Sequence, residues 1–102
     1  MINFWTVIIS CGQEATLNNV ADHIEYVSKR IGAQHVGLGA DFDGVSMNQI
    51  PKGLQDVSTY PALLVELMNR GFSDQEIAGI AGENILRVLK KTEQVSLEMK
   101  VY

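Results

Sequence analysis

Between two short, almost uninterrupted apolar runs the chain carries one stretch of helical period, and that arrangement limits its folds more than any other feature. Ile2, Phe4, Trp5 and then Val7, Ile8 and Ile9 form the first run; His35 to Ala40 (HVGLGA) form the second. β-Branched and aromatic residues without polar alternation mark strands covered on both faces, as in parallel sheets. From Thr16 to Ile31 the period changes. Val20, Ile24, Val27 and Ile31 recur at helical spacing, Asp22, Glu25, Lys29 and Arg30 fall elsewhere, and Gly32 sits where a helix C-cap belongs. Strand, helix, strand is the β-α-β order of a parallel sheet, which sets the fold class as α/β.

The second half reads as helical. Ser58 or Thr59 can cap a helix with Pro61 in its first turn, Tyr60, Leu63, Leu64, Leu67 and Met68 supply its apolar face, and Gly71 ends it. Ser73 and Glu76 have capping-box spacing ahead of Ile77, Ile80 and Ala81. A last helix follows Gly82, with Ile85, Leu86, Val88 and Leu89 as its face; Lys90-Lys91 are read as a solvated helix end, and the residues after Val95 are expected to fray.

At 102 residues, the chain is sized for one modest core and is too short for a complete (β/α)8 barrel, which needs about 250 residues. Its net charge of -4, with no cluster of Lys or Arg, speaks against nucleic acid as a partner. The apolar opening, Met1 to Gly12, is too short to span a bilayer and lacks the basic start of a signal peptide, so it is read as a strand. Cys11 has no partner for an internal disulfide and is expected to be a small buried side chain.

Asp41-Phe42-Asp43-Gly44 is the most informative local feature. Two carboxylates where a strand ends and a loop begins lie where α/β proteins keep their active sites, and alternation along an extended chain would point both the same way. Such a pair can bind a hard cation, grip an ammonium group or share a proton. An ordinary turn, with Asp capping the backbone and Gly44 at positive φ, also fits these letters. An EF-hand does not, because its sixth and twelfth positions would be Ser46 and Lys52. A dinucleotide fingerprint fails too, since the third glycine after Gly37 and Gly39 would be Phe42. A small phosphotransferase with Asp41 as nucleophile fits Asp-x-Asp-Gly but lacks a later acidic pair for magnesium. Two histidines, His23 and His35, and one cysteine are a thin supply for zinc, and both histidines are read as surface or packing residues.

A series of blocks carries a family resemblance: Asn3-Phe4, Ser10-Cys11, Val20-Ala21-Asp22-His23-Ile24, His35 through Gly44, Pro51-x-Gly53-Leu54-x-Asp56-Val57-Ser58-x-Tyr60-Pro61, and Asn84-x-Leu86-Arg87-Val88. In order and without gaps, they resemble the carboxy-terminal third of the membrane (renal) dipeptidase family. The resemblance implies residues 1–102 of a zinc-dependent dipeptidase barrel, an incomplete (β/α)8 TIM-barrel segment holding the last two strands, the helix between them and the closing helices. It implies a dipeptide substrate, two zinc ions whose ligands are not in this chain, and Asp41 as the last-strand aspartate that holds the substrate's amino group and relays a proton, with Asp43 beside it. Cys11 falls on a cysteine that is disulfide-bonded in mammalian members, Ile8 on a tyrosine near the substrate and Trp5 on a tyrosine after Asn-Phe.

The resulting expectation is a zinc metallodipeptidase present as a truncated portion, inactive alone. Exposed strand edges and apolar faces would favour a homo-oligomer or pairing with the missing barrel portion. A non-catalytic, barrel-complementing interaction module is the alternative. Complete family members are often secreted or membrane-anchored, and the localisation of this chain is left open.

Overall fold

The computed structural model describes residues 1–99. Five α-helices follow one another: α1 (Thr6–Ser10), α2 (Leu17–Ile31), α3 (Tyr60–Asn69), α4 (Asp74–Ala78) and α5 (Asn84–Glu98). Among the described residues, β pairing is confined to two parallel bridges, Ile2 with Leu38 and Thr16 with Lys52. In the first, Ile2 N–H donates to Gly37 O at 2.7 Å and Gly39 N–H to Ile2 O at 2.9 Å. Helix α2 lies between these paired segments in the chain.

The first apolar run is not one strand. Residues up to Trp5 are extended or bridged, but Val7, Ile8 and Ile9 belong to α1. A short apolar run has no periodicity by which to separate a buried strand from one helical turn. Cys11 corrects a second expectation, because it is exposed and closes α1 in the left-handed conformation (φ 56°). The chain turns outward there through Gly12 (φ 82°).

Helix α2 follows its letters except at its last apolar position, Ile31, which is exposed. Thr16 and Asn19 form a capping box, Val20, Ala21 and Ile24 are buried, and Gly32 ends the helix at φ 95°. Helix α3 packs against it through Leu63 and Leu67, and the core between and around them adds Phe4, Val36, Leu54 and Ile80. Burying each large side chain of this kind stabilises the fold by roughly 1.5–3 kcal/mol. Arg70, just after α3, fastens the pair. Its guanidinium donates to Asp22 (2.7 Å), Glu25 (3.1 Å), Glu66 (3.0 Å) and Asn18 O (3.2 Å).

Thr59 is the N-cap residue of α3, as the sequence allows, but its side chain makes no capping bond. Asp56 caps the preceding 3-10 turn, Val57–Thr59: its carboxylate accepts from Ser58 N–H at 2.8 Å and from the Ser58 hydroxyl, and the turn leads into Tyr60. The Ser73–Glu76 box forms as the spacing predicts. The chain then passes through a π turn, Gly79–Glu83, directly into α5. That helix runs to Glu98 without fraying at Val95, so Lys90 and Lys91 sit mid-helix rather than at its end.

The apolar face of α5 is the main departure from a closed core. Ile85, Leu86, Val88 and Leu89 are each about half exposed (48–53%). Among the described residues no helix is long and apolar enough to cross a membrane.

Candidate functional site

The Ile2–Leu38 bridge brings two distant stretches together, Asn3-Phe4-Trp5 and Asp41-Phe42-Asp43-Gly44. Residues 41–44 form a turn closed by Gly44 N–H donating to Asp41 O at 3.0 Å. The sequence expectation placed positive φ at Gly44, and the structure places it at Asp41 (φ 66°). Aspartate tolerates this left-handed backbone better than most residues because its short side chain bonds locally. Gly44 matters for a different reason: a Cβ there would meet the Asp41 carboxylate, which would have to move away.

Phe42 turns inward and anchors the turn, while Asp41 and Asp43 remain exposed. Its ring meets Phe4 edge-on at 5.9 Å, and Tyr60 completes the cluster at 5.8 Å from Phe4 and 6.2 Å from Phe42. Edge-to-face pairs at such distances add about 0.5–1.5 kcal/mol beyond simple burial. Burial pushes the Tyr60 phenol above its ordinary pKa of 10.0. One residue of each block, Phe4, Phe42 and Tyr60, thus fixes the height of the carboxylate turn.

Asn3 reaches the carboxylate itself. Its Nδ2 donates to Asp41 Oδ2 at 3.3 Å, and its Oδ1 accepts from Trp5 N–H at 2.7 Å. The Trp5 indole N–H in turn donates to Gln49 Oε1 at 3.2 Å, linking the loop after the turn to the same segment. The sequence offered no signal for these contacts beyond the Asn-Phe pair, since they join residues 38 and 44 positions apart.

The start of the segment that leads to the turn is held from α5. Asn84, buried at 8% exposure, donates from Nδ2 to Ala33 O and Val36 O, both at 2.8 Å. Arg87 donates to Gln34 O at 2.7 Å and to Asn84 Oδ1 at 3.2 Å. The Asn-x-Leu-Arg-Val block is therefore a lock on the bend that precedes HVGLGA, and Arg87 serves it rather than only the polar side of its helix.

The remaining candidates do not converge. His23 lies on α2 with Nε2 3.2 Å from Ile9 O, and His35 is exposed at the end of the 3-10 turn Ala33–His35. Among the described residues no three His, Cys, Asp or Glu side chains gather as a metal requires. What the turn presents is an exposed carboxylate with one oxygen held and, among the described residues, no hydrogen bond on the other.

Comparison with known proteins bears on what such a turn belongs to. The family model described as membrane dipeptidase (peptidase family M19) matches residues 1–102. Dipeptidase aclJ of Aspergillus oryzae is 49% identical over 98 residues, covering 94% of this chain and 23% of its own length. An uncharacterized dipeptidase of Schizosaccharomyces pombe is 50% identical over 97 residues, 93% of this chain and 23% of that one. Dipeptidase 3 of Homo sapiens is 36% identical over 100 residues, 98% of this chain and 20% of its own. The chain spans only about a fifth to a quarter of these curated relatives. With the family model matched from end to end, the chain belongs to the membrane dipeptidase family.

Proposed function

We propose that this chain is the carboxylate-bearing portion of a zinc dipeptidase and that Asp41 receives the free α-ammonium of a dipeptide substrate. The observation that carries the reading is the state of Asp41: exposed, at the start of a turn that Phe42 packs onto Phe4 and Tyr60, with Oδ2 accepting a hydrogen bond from Asn3. Near neutral pH the α-amine of a dipeptide is largely protonated, and a carboxylate fixed in position accepts its N–H groups as charge-assisted bonds. Asp43, exposed on the same turn, adds negative charge beside it. The proton that water gives up on adding to the peptide carbonyl can pass through the Asp41 carboxylate to the amine released when the C–N bond breaks, while the bound α-ammonium keeps its own protons. The two zinc ions in this reading are held by residues outside the chain.

The architecture proposed for the whole protein is a (β/α)8 barrel in which residues 1–5 and 36–40 are neighbouring strands and α2 crosses between them. The parallel Ile2–Leu38 bridge supports it. A barrel-complementing role, by pairing with the remaining portion, is the second reading and rests on the half-exposed face of α5.

The test uses the 102-residue chain alone and a chimera in which it replaces the matching segment of Dipeptidase aclJ. The isolated chain is expected to hydrolyse no dipeptide with or without added zinc, and the chimera to hydrolyse one. Zinc-dependent turnover by the isolated chain, stopped by a chelator, would overturn the truncated reading; an inactive but folded chimera would count against the dipeptidase role.

A further inference from the structure

The geometry points to Asn3 as the residue that positions Asp41 for its ligand, an inference that rests on the ammonium-binding reading above. The argument starts from the two ends of one amide. Trp5 N–H is a donor and can be satisfied only by the Asn3 oxygen, at 2.7 Å. With Oδ1 committed in that direction, the Asn3 NH2 group faces the opposite way and meets Asp41 Oδ2 at 3.3 Å. Rotating the amide by half a turn would set N–H against N–H on one side and oxygen against carboxylate on the other. A single amide orientation therefore satisfies both neighbours, and the Trp5 backbone aims the Asn3 donor.

Asp41 needs such a partner. It sits at φ 66°, outside the range most residues hold, and its exposed side chain has no other hydrogen bond among the described residues. Asn3 removes one oxygen from competition and orients the other for a cationic group. The Ile2–Leu38 bridge fixes the spacing between them, with Gly39 N–H on Ile2 O at 2.9 Å. Asn3 bonds the carboxylate and is argued to act through it, so it is a positioning residue.

The test separates its two roles in the dipeptidase chimera. Asn3→Asp keeps the acceptor for Trp5 N–H and loses the donor to Asp41. Asn3→Ser, which can still accept from Trp5 N–H but is too short to reach Asp41, loses the donor without adding charge. Both variants are expected to keep the parent melting temperature within a few degrees and to lower kcat/KM about 10- to 100-fold, the range for a hydrogen bond to a charged group. In an Asp41→Asn background, each Asn3 change is expected to add no more than about twofold, because the group it positions is gone. Parent-like kcat/KM in a folded Asn3→Ser chimera, or a full loss that persists in the Asp41→Asn background, would overturn the inference. An Asp41→Asn chimera with parent activity would overturn the ammonium-binding reading, and this inference with it. Should Asn3→Asp fail to fold, the Asn3→Ser pair of measurements decides alone.

Discussion

At the scale of single residues, the site depends on conformations that composition cannot encode. Asp41-Phe42-Asp43-Gly44 stands out in the sequence as a pair of carboxylates at a strand end, and the structure places both in solvent on one turn. What the letters misassign is who bears the strain: Asp41 takes positive φ, and Gly44 is present to clear its carboxylate. Gly44→Ala is expected to displace that carboxylate and cut kcat/KM of the chimera about 100-fold, the effect of a misplacement near 1 Å, while stability measured by urea unfolding changes by about 1 kcal/mol. Asn84 is legible only as part of a family block, because its acceptors, Ala33 O and Val36 O, lie 51 and 48 residues away. Asn84→Ala leaves both carbonyls without this buried donor, and a loss of roughly 2–4 kcal/mol in urea unfolding is expected.

At the scale of elements, periodicity served best where an element is long and one face is buried. Helix α2 shows this, with Val20 and Ile24 inside and Gly32 at its C-cap as the sequence predicts, while the Thr16–Asn19 box at its start is seen only in the structure. It failed for Val7–Ile9, where three apolar residues suit a strand and a helical turn equally well. It also stopped α5 too early, at Val95, because polar residues at a solvated end look like fraying. The bond between α2 and α3 was invisible in sequence, since Arg70 reaches back 48 residues to Asp22 and 45 to Glu25. Arg70 is mostly buried and its carboxylate neighbours raise its pKa further above the ordinary value. Arg70→Ala is expected to cost about 2 kcal/mol in the chimera, and Arg70→Lys to recover only part of it, because an ammonium cannot span several acceptors as the planar guanidinium does.

The same cluster gives a pH dependence. Hydrogen bonds from Lys29 and Arg70 hold the Glu25 carboxyl below its ordinary value of 4.5. The folded chain then binds that proton less tightly than the unfolded chain, so the stability Glu25 contributes is present above pH 4.5 and is lost as pH falls through its lowered folded value. Melting of Glu25→Gln against the parent checks this: the parent is expected to melt higher at pH 6 and the two to coincide near pH 2.

At the scale of the whole molecule, length and pattern pull in opposite directions, and the structure shows where. The core around Phe4, Ile24, Leu63 and Leu67 closes, whereas α5 extends with Ile85, Leu86, Val88 and Leu89 half exposed and the long dimension of the molecule reaches 51 Å. An apolar face of that kind favours association. The purified chain is therefore expected to elute from size exclusion above its 11.2 kDa monomer mass, and a monodisperse monomer would contradict that. The central claim, that the chain serves a dipeptidase through one carboxylate, is tested most directly by kcat/KM for an unblocked dipeptide in the chimera and in its Asp41→Asn form. The account predicts a fall of at least about 100-fold with the fold intact; equal values in the two proteins would contradict it.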